Sequence, residues 1–253
     1  MLKRVKIGEK RELVVPGNYA ETLQFCVQHW IKVAQTSIEE RGSFAVALSG
    51  GSTPKAIYES LALPENAKKI DWSKVYLFWS DERTVGPDHP ESNYHMAMQA
   101  GFAKLPIPQD QIFRMQAEKS LEMEAERYEK IIGDQLQDRP FDLIMLGMGD
   151  DGHTASLFPH TAGLQVRDRL VIANEIPQKQ CWRMTMTFAC INQALHNAIY
   201  VLGSSKKEML AEVLSSNKDV ERLPSQGVGT KEHPAIWIAD SAAAALFLSR
   251  SSH

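Results

Sequence analysis

The sequence predicts an α/β fold: one domain with a mostly parallel sheet and helices on both faces. Short apolar segments rich in β-branched and aromatic residues alternate with helical segments, which is typical of strands joined by helical crossovers. The 253 residues are 43% hydrophobic and 23% charged, as in ordinary globular domains, and are enough to form a large core. No fixed-period repeat or Gly/Ser linker divides the sequence, so the predicted domain spans residues 1–253.

Apolar runs and apolar spacing place the individual elements. The predicted strands are residues 44–48, 75–79, 141–146, 170–176, 183–188, 198–202 and 235–240. The predicted helices are residues 54–62, 92–103, 117–137, 191–196, 206–215 and 241–248. Ser92 is placed to cap the second of these helices. The polar segment 215–234, with two prolines and two glycines, is predicted to be a surface loop.

Composition excludes several classes of protein. A formal charge of −3 gives no electrostatic footprint for a nucleic-acid or anionic-membrane binder. The three cysteines form no C-x-x-C or zinc-like spacing, which favours reduced thiols in the cytoplasm. The longest clean apolar run, residues 242–248, is far below the ~20 residues of a membrane-spanning helix. The N-terminal residues lack the continuous apolar core of a signal peptide.

A glycine-rich turn follows the first predicted strand. Gly50 and Gly51 come after the strand, and Ser52 or Thr53 can cap the helix that begins there. Glycines let backbone N–H groups approach a ligand closely, and a helix N-terminus attracts anions such as phosphate. The segment matches neither a Walker A loop nor a full dinucleotide fingerprint, so a well-capped helix after a tight turn remains an alternative.

A charged triplet follows the second predicted strand. Asp81, Glu82 and Arg83 stand where open α/β sheets bind ligands, and an arginine suits bidentate contact with phosphate oxygens. Taken alone, the triplet is better explained as solvated loop charges that pair with one another.

A second glycine-rich loop follows the third predicted strand. Gly147, Gly149 and Gly152 allow a tight turn and close approach of a substrate. Asp151 stands two residues before His153, where a carboxylate can orient the imidazole ring and raise its basicity. We therefore expect His153 to act as a general base at neutral pH. Metal ligation is a competing hypothesis, but no second His or Cys stands at a helical ligand spacing.

A lysine follows a later strand in the same way. Lys206 comes after Gly203, where it can act as a point charge on phosphate or simply face solvent. All four segments follow predicted strands and precede predicted helices, so they should meet at the carboxyl edge of a parallel sheet. Together they favour acid–base chemistry on a small phosphorylated substrate. No G-x-S-x-G motif supports a covalent serine, and we expect no cofactor and no metal.

Five segments, taken in order, resemble the 6-phosphogluconolactonase family: residues 44–62, 71–94, 142–159, 183–194 and the G-x-x-K of 203–206. They cover nearly the whole sequence, and DLIMLGMGDDGHTASLFP at 142–159 is highly specific. The resemblance implies the Rossmann-like fold shared with glucosamine-6-phosphate deaminases and ribose-5-phosphate isomerases. It also implies hydrolysis of 6-phospho-D-glucono-1,5-lactone in the oxidative pentose phosphate pathway.

With this resemblance, the expected catalytic residues are His153 and Asp151. The expected substrate- and phosphate-binding residues are Gly50, Gly51, Ser52, Thr53, Asp81, Arg83, Asn93, Gly149, Arg183 and Lys206. We expect a sugar-phosphate lactone as the only partner, with no nucleic acid or membrane, and a monomer or weak homo-oligomer. The loop 84–92 and the segment 226–234 depart from the family pattern.

Two alternatives remain. A glucosamine-6-phosphate deaminase shares the glycine-rich loop, the Asp-Glu pair and the D-G-H triplet, but its histidine precedes a segment resembling IAFNEP. Here TASLFP follows His153, and Arg83 rather than a tyrosine follows Glu82, which favours the lactonase. The second alternative is a non-catalytic sugar-phosphate sensor, which would need the phosphate-binding residues but not His153 beside Asp151.

Overall fold

The apolar segments form strands, and the segments of helical spacing cover them. The computed structural model describes residues 2–137 and 139–250, so Met1, Asp138 and residues 251–253 of the predicted domain lie outside the described residues. The described strands are β1 (Lys3–Ile7), β2 (Arg11–Val15), β3 (Phe44–Leu48), β4 (Val75–Trp79), β5 (Asp81–Arg83), β6 (Leu143–Gly147), β7 (Val171–Ile176), β8 (Cys181–Met186), β9 (Asn197–Val201) and β10 (Ala235–Ala239). The described helices are α1 (Tyr19–Arg41), α2 (Ser52–Leu61), α3 (Pro64–Ala67), α4 (Asn93–Gln99), α5 (Leu121–Leu136), α6 (Phe188–Ile191), α7 (Lys207–Val213) and α8 (Ser241–Arg250).

A seven-stranded sheet forms the centre of the fold, in the order β1-β2-β10-β9-β6-β3-β4. Its neighbouring strands are parallel except β1 and β2, which pair antiparallel at one edge. β3 and β9 are buried along their whole length, as expected for strands covered on both faces. Because crossovers between parallel strands are right-handed, α1 and α2 lie on one face and α5 and α7 on the other. The predicted fold class is confirmed.

A smaller antiparallel sheet, in the order β5-β8-β7, stands apart from the parallel one. The sequence predicts β7 and β8 as strands of an alternating α/β pattern, and the structure corrects their place by assigning them to this second sheet. β5 is short and charged, so strand propensity gives no sign of it. It forms because it pairs with β8.

Some predicted elements are confirmed and others shift. β3 and β4 have the predicted bounds, and the Ser92 side chain caps α4 by accepting from the N–H of His95 at 3.1 Å. The helix predicted at 191–196 is instead the single turn α6, since the chain must enter β9 at Asn197. The predicted surface loop 215–234 is also corrected, because its centre, residues 223–226, is buried.

One hydrophobic core cluster extends through the described residues, from Leu13 on β2 to Phe247 on α8. Its largest fully buried side chains include Trp30, Trp79 and Trp237. A single continuous core is what the proposed one-domain organisation requires. Across residues 2–137 and 139–250, no helix is long and apolar enough to cross a membrane.

Candidate active site

Polar side chains surround a cavity of about 290 Å³ at the carboxyl edge of the parallel sheet. The segments after β3, β6 and β9 open into it, and β5 and β8 form a further wall. The sequence-predicted site residues in its lining are Gly50, Gly51, Ser52, Thr53, Asp81, Arg83, Asn93, Gly149, His153, Arg183 and Lys206. Asp151 is the predicted residue outside this lining, and it contacts His153.

The four predicted segments therefore meet at one edge, but one of them continues differently from the prediction. The loop that carries His153 does not lead directly into a helix. A 3₁₀ turn at Ala162–Gln165 and then β7 follow it, because the chain crosses to the small sheet at this point.

The glycine-rich turn after β3 presents the start of α2 to the cavity. The N-cap residue is Gly51, with φ of 103°, and not Ser52 or Thr53 as the sequence suggests, because both already lie in the first helical turn. No side-chain oxygen caps this helix, so its first backbone N–H groups remain available for an anion. Gly50 is required for close packing, since a Cβ there would lie 1.9 Å from Oδ1 of Asn93.

The charged triplet of β5 divides between the two faces of its strand. Asp81 is buried, and its carboxylate accepts from Ser156 Oγ at 2.6 Å and from Asn93 Nδ2 at 3.1 Å. Glu82 has a structural position, because it accepts from Ser92 Oγ and from backbone N–H groups at the start of α4. Burial raises the pKa of Glu82, and these backbone hydrogen bonds oppose that rise.

Two arginines face each other across the small sheet. Arg83 on β5 is paired directly with Arg183 on β8, so both side chains lie on the same face and both line the cavity. Like charges directly opposite one another are destabilising unless an anion lies between them. The Nε atoms of both arginines are buried without a hydrogen-bond partner among the described residues. This arrangement suits a bound phosphate.

The loop after β6 holds His153 against a carboxylate. His153 Nδ1 lies 2.5 Å from Asp151 Oδ1, and the backbone N–H of His153 donates to the same oxygen at 3.1 Å. Burial acts to raise the pKa of Asp151, but the hydrogen bond from His153 and the charge on its ring outweigh burial, and this pKa falls to about 2. An ionised Asp151 accepts the Nδ1–H of the ring, which leaves Nε2 as the nitrogen that can take a proton.

Lys206 adds a third cation to the cavity. Its Nζ donates to the carbonyl oxygen of Met148 at 3.0 Å and to Asp150 Oδ1 at 2.6 Å. The Asp150 side chain is 86% exposed, so this ion pair is open to solvent. In the part of the chain that the structure describes, no group of three or more His, Cys, Asp or Glu side chains is placed to hold a metal ion.

The sequence assigns no individual role to three residues of the site region, although Ser156 and Phe158 lie in the segment TASLFP that contributes to the family resemblance. Ser156 is fully buried and connects the His153 loop to Asp81 and, through its N–H, to Thr185 on β8. Tyr200 on β9 lines the cavity, and its buried hydroxyl has no partner among the described residues. Phe158 packs against His153. An isolated serine or aromatic residue in an apolar run is typical of a core, so only the folded geometry identifies them.

A cavity lined by anion-binding cations and by an imidazole suited to proton transfer is characteristic of α/β enzymes that act on small phosphorylated metabolites. The family model described as glucosamine-6-phosphate isomerases/6-phosphogluconolactonase matches residues 18–237. This range is most of the chain, and the chain belongs to that family.

Individual relatives agree with this assignment. A 6-phosphogluconolactonase of Chlamydia pneumoniae is 38% identical over 239 residues, which are 94% of this chain and 91% of that protein. The crystal structure of a 6-phosphogluconolactonase from Thermotoga maritima aligns with a TM-score of 0.78 and 29% identity, over 90% of this chain and 98% of that one. A monomeric glucosamine-6-phosphate deaminase aligns with a TM-score of 0.77 at 22% identity, over 92% and 99% of the two chains, which shows the shared fold alone.

Proposed function

We propose that the protein hydrolyses 6-phospho-D-glucono-1,5-lactone to 6-phospho-D-gluconate, a step of the oxidative pentose phosphate pathway. The observation that carries the proposal is the 2.5 Å contact between His153 Nδ1 and Asp151 Oδ1 beside a cavity lined by three cationic side chains. The similarity to proteins named 6-phosphogluconolactonase supports the same reaction. The segment TASLFP after His153 favours it over deamination of an amino sugar.

His153 acts as the general base in this proposal. Its Nε2 takes a proton from a water molecule as the water oxygen attacks C1 of the lactone, and the carbonyl electron pair moves onto the carbonyl oxygen. Asp151 stabilises the imidazolium that results. The bond from C1 to the ring oxygen then breaks, and the imidazolium returns its proton to that oxygen. Water is the only co-reactant, so the chemistry requires no cofactor or metal.

The cations bind the 6-phosphate of the substrate. Arg83 and Arg183 supply planar donors from the small sheet, Lys206 supplies a point charge, and the first turn of α2 supplies backbone N–H groups. Asp81 cannot bind an anion, because an ionised carboxylate only accepts hydrogen bonds. We therefore place the hydroxyl groups of the sugar beside Asp81 and Asn93, between the phosphate and the reacting carbon.

Two substrates test the proposal. Purified protein, treated with a chelator and dialysed, is incubated with freshly generated lactone and separately with glucosamine 6-phosphate. We expect hydrolysis of the lactone well above its spontaneous rate and no release of ammonia. Ammonia release would favour the deaminase, whereas phosphate binding without either reaction would favour a sensor. Activity that returns only when zinc is added would make His153 a metal ligand.

We also propose a cytoplasmic protein that is a monomer or a weak homo-oligomer. Cys26, Cys181 and Cys190 are free, as in proteins of a reducing compartment. Light scattering on a gel-filtration column measures the mass, and a tight oligomer at low protein concentration would contradict the expectation.

A further inference from the structure

Phe158 lies in the same loop as His153, and the proposed reaction does not use it. Its side chain is only 1% exposed and lies outside the cavity lining. The imidazole of His153 stacks on its ring, with 3.8 Å between the ring centroids and 17° between the ring planes. The guanidinium carbon of Arg183 lies 5.4 Å from the same centroid. One buried ring therefore contacts both the proposed base and a proposed phosphate-binding residue.

The stacking contact completes the orientation of the imidazole. The hydrogen bond to Asp151 restrains the distance between Nδ1 and one carboxylate oxygen, but this single distance leaves the χ1 and χ2 torsions of His153 room to vary. The face of Phe158 sets the ring plane and so determines where Nε2 points. Gly149 leaves room for this orientation, because a Cβ there would lie 2.0 Å from His153 Nδ1.

The ring of Phe158 also attracts positive charge on the groups beside it. The face of an aromatic ring carries negative charge density and attracts cations. When His153 takes a proton during hydrolysis, the resulting imidazolium lies flat on that face, and Asp151 contacts its edge. The guanidinium of Arg183 also lies near this ring. An aliphatic side chain could fill the volume of Phe158 but could not provide this attraction.

We infer that Phe158 is a positioning residue whose aromatic ring orients the His153 imidazole, stabilises its protonated form and holds Arg183 at the cavity. The inference rests on the proposed function only in naming lactone hydrolysis as the reaction in which His153 acts. The stacking acts on the imidazole whatever the substrate is. The competing explanation is that Phe158 merely fills the core.

Substitutions at Phe158 separate these explanations. Phe158→Leu and Phe158→Met keep apolar volume without a ring, and Phe158→Tyr keeps the ring. Phe141→Leu is the matched control, since Phe141 is a buried phenylalanine that precedes β6 at the opposite edge of the sheet. We expect the Leu and Met variants to lose ~10- to 100-fold in kcat through misdirection of the base. Phe158→Tyr and Phe141→Leu should stay within about threefold of wild type.

The pH dependence gives a readout that core filling does not change. The base works as neutral imidazole, so removing a group that stabilises imidazolium moves the acid limb of kcat/KM to lower pH, by about half a pH unit. No variant removes a charged group near His153: Asp151 on its own loop, Asp81 and Arg83 on β5, Arg183 on β8, and Lys206 before α7. If Arg183 moves away once the ring is lost, the departing positive charge shifts the limb to higher pH. A shift to lower pH therefore reports the loss of the Phe158 ring itself.

The decisive experiment measures kcat and the pH dependence of kcat/KM for each variant. It also follows the titration of His153 in the protein without substrate, from the imidazole C–H resonances by NMR. The NMR titration decides the role of Phe158 even if wild type does not hydrolyse the lactone, which would overturn the proposed function alone. We expect the midpoint of His153 to fall in Phe158→Leu, or in Phe158→Met if the Leu variant does not fold. A folded ring-free variant with unchanged midpoint and kcat overturns the inference. So does a folded Phe158→Tyr as inactive as Phe158→Leu, or an equal loss of kcat in Phe141→Leu.

Discussion

The two edges of the parallel sheet carry similar charged residues, but they differ in how far the polar atoms of these residues are hydrogen-bonded within the fold. At the amino edge, Asp142 is buried, and its two oxygens accept from Arg41 Nε and from the N–H of Ala45, both at 2.8 Å. At the carboxyl edge, Arg83 and Arg183 face each other with buried Nε atoms that lack partners among the described residues. The difference shows that pairing within the fold, rather than residue type, separates a structural charge from one available to a ligand.

The largest expected effect lies at the carboxyl edge. His153→Asn should lower kcat by ~10²–10⁴-fold, the usual contribution of a general base, with little change in KM. Steady-state assays above the spontaneous rate measure it. Asp151→Asn should cause a smaller loss of the same kind, because it weakens the support of the base without removing it. If Asp151→Asn were the more damaging change, the two roles would have to be exchanged.

The matching change at the amino edge should affect stability instead. Asp142→Asn removes one charge from a pair in which Asp142 is 3% exposed and Arg41 is 27% exposed. We expect the free energy of unfolding to fall by about 3 kcal/mol, the low end for breaking a buried pair, because Arg41 reaches water. Denaturant titration measures this loss. A reduced kcat in the folded Asp142→Asn protein would show that the two edges are not independent.

Two histidines extend the comparison. His153 has a carboxylate partner, whereas Nδ1 of His29 on α1 is buried with no partner among the described residues. Burial, with a smaller contribution from nearby cationic groups that include Arg4, lowers the pKa of His29 to about 4. The unfolded chain binds this proton near pH 6.5, so stability is complete above that pH and declines as the pH falls toward 4, by at most about 3 kcal/mol.

His29→Gln tests this pH dependence. The variant should show a flatter decline of unfolding free energy between about pH 6.5 and 4 than wild type, because the titrating group is gone. Equal slopes in the two proteins would mean that His29 does not titrate in this way.

Loss of Arg83 should weaken phosphate binding. Its Nη1 donates to the carbonyl oxygen of Glu91, but its buried Nε has no partner among the described residues. Arg83→Ala should raise KM for the lactone and the inhibition constant of inorganic phosphate about 30-fold, equivalent to ~2 kcal/mol for a charge-assisted contact. Arg222→Ala is the control, since Arg222 is half exposed and pairs with Glu212 away from the cavity. An unchanged KM together with no inhibition by phosphate would move the phosphate site elsewhere.

The smallest effect concerns the ion pair of Lys206. Asp150 competes with phosphate for Lys206 Nζ, and its exposed carboxylate contributes little to stability. Asp150→Asn should therefore tighten phosphate binding by about two- to fivefold. Glu208→Gln removes the same charge from an exposed pair with Lys207 and should change nothing. Weaker phosphate binding in Asp150→Asn would make Asp150 a support for Lys206 rather than a competitor.

The sequence predicts the fold best where strands are covered on both faces. The apolar runs of β3 and β4 need no tertiary information. In contrast, the N-terminal region is not predicted, because the buried face of α1 mixes Trp30 with polar Thr22 and Ser37, which weakens the apolar periodicity. The capping box of Asn18 and Glu21 at its start is the local signal that could have predicted it.

The candidate site is predictable where glycines and charges directly follow a strand. The sequence places Gly50, His153 and Lys206 in this way, and the structure brings them to one cavity. The sequence cannot show that Arg83 faces Arg183, because their pairing depends on β5, a short strand of the smaller sheet. For the same reason, the stacking of Phe158 on His153 follows from the folded loop and not from spacing.

The central claim is that His153 supplies the base and Arg83 binds the phosphate, each without the other's role. The most direct test measures two quantities on one variant of each residue. These are kcat for the lactone above the spontaneous rate and the dissociation constant of inorganic phosphate. For His153→Asn, we predict a kcat lowered by ~10²–10⁴-fold and phosphate affinity within about twofold of wild type. For Arg83→Ala, we predict phosphate affinity weakened by about 30-fold and most of kcat retained. Parallel loss of both properties in both variants, or a His153→Asn enzyme within about threefold of wild type in kcat, would contradict this division.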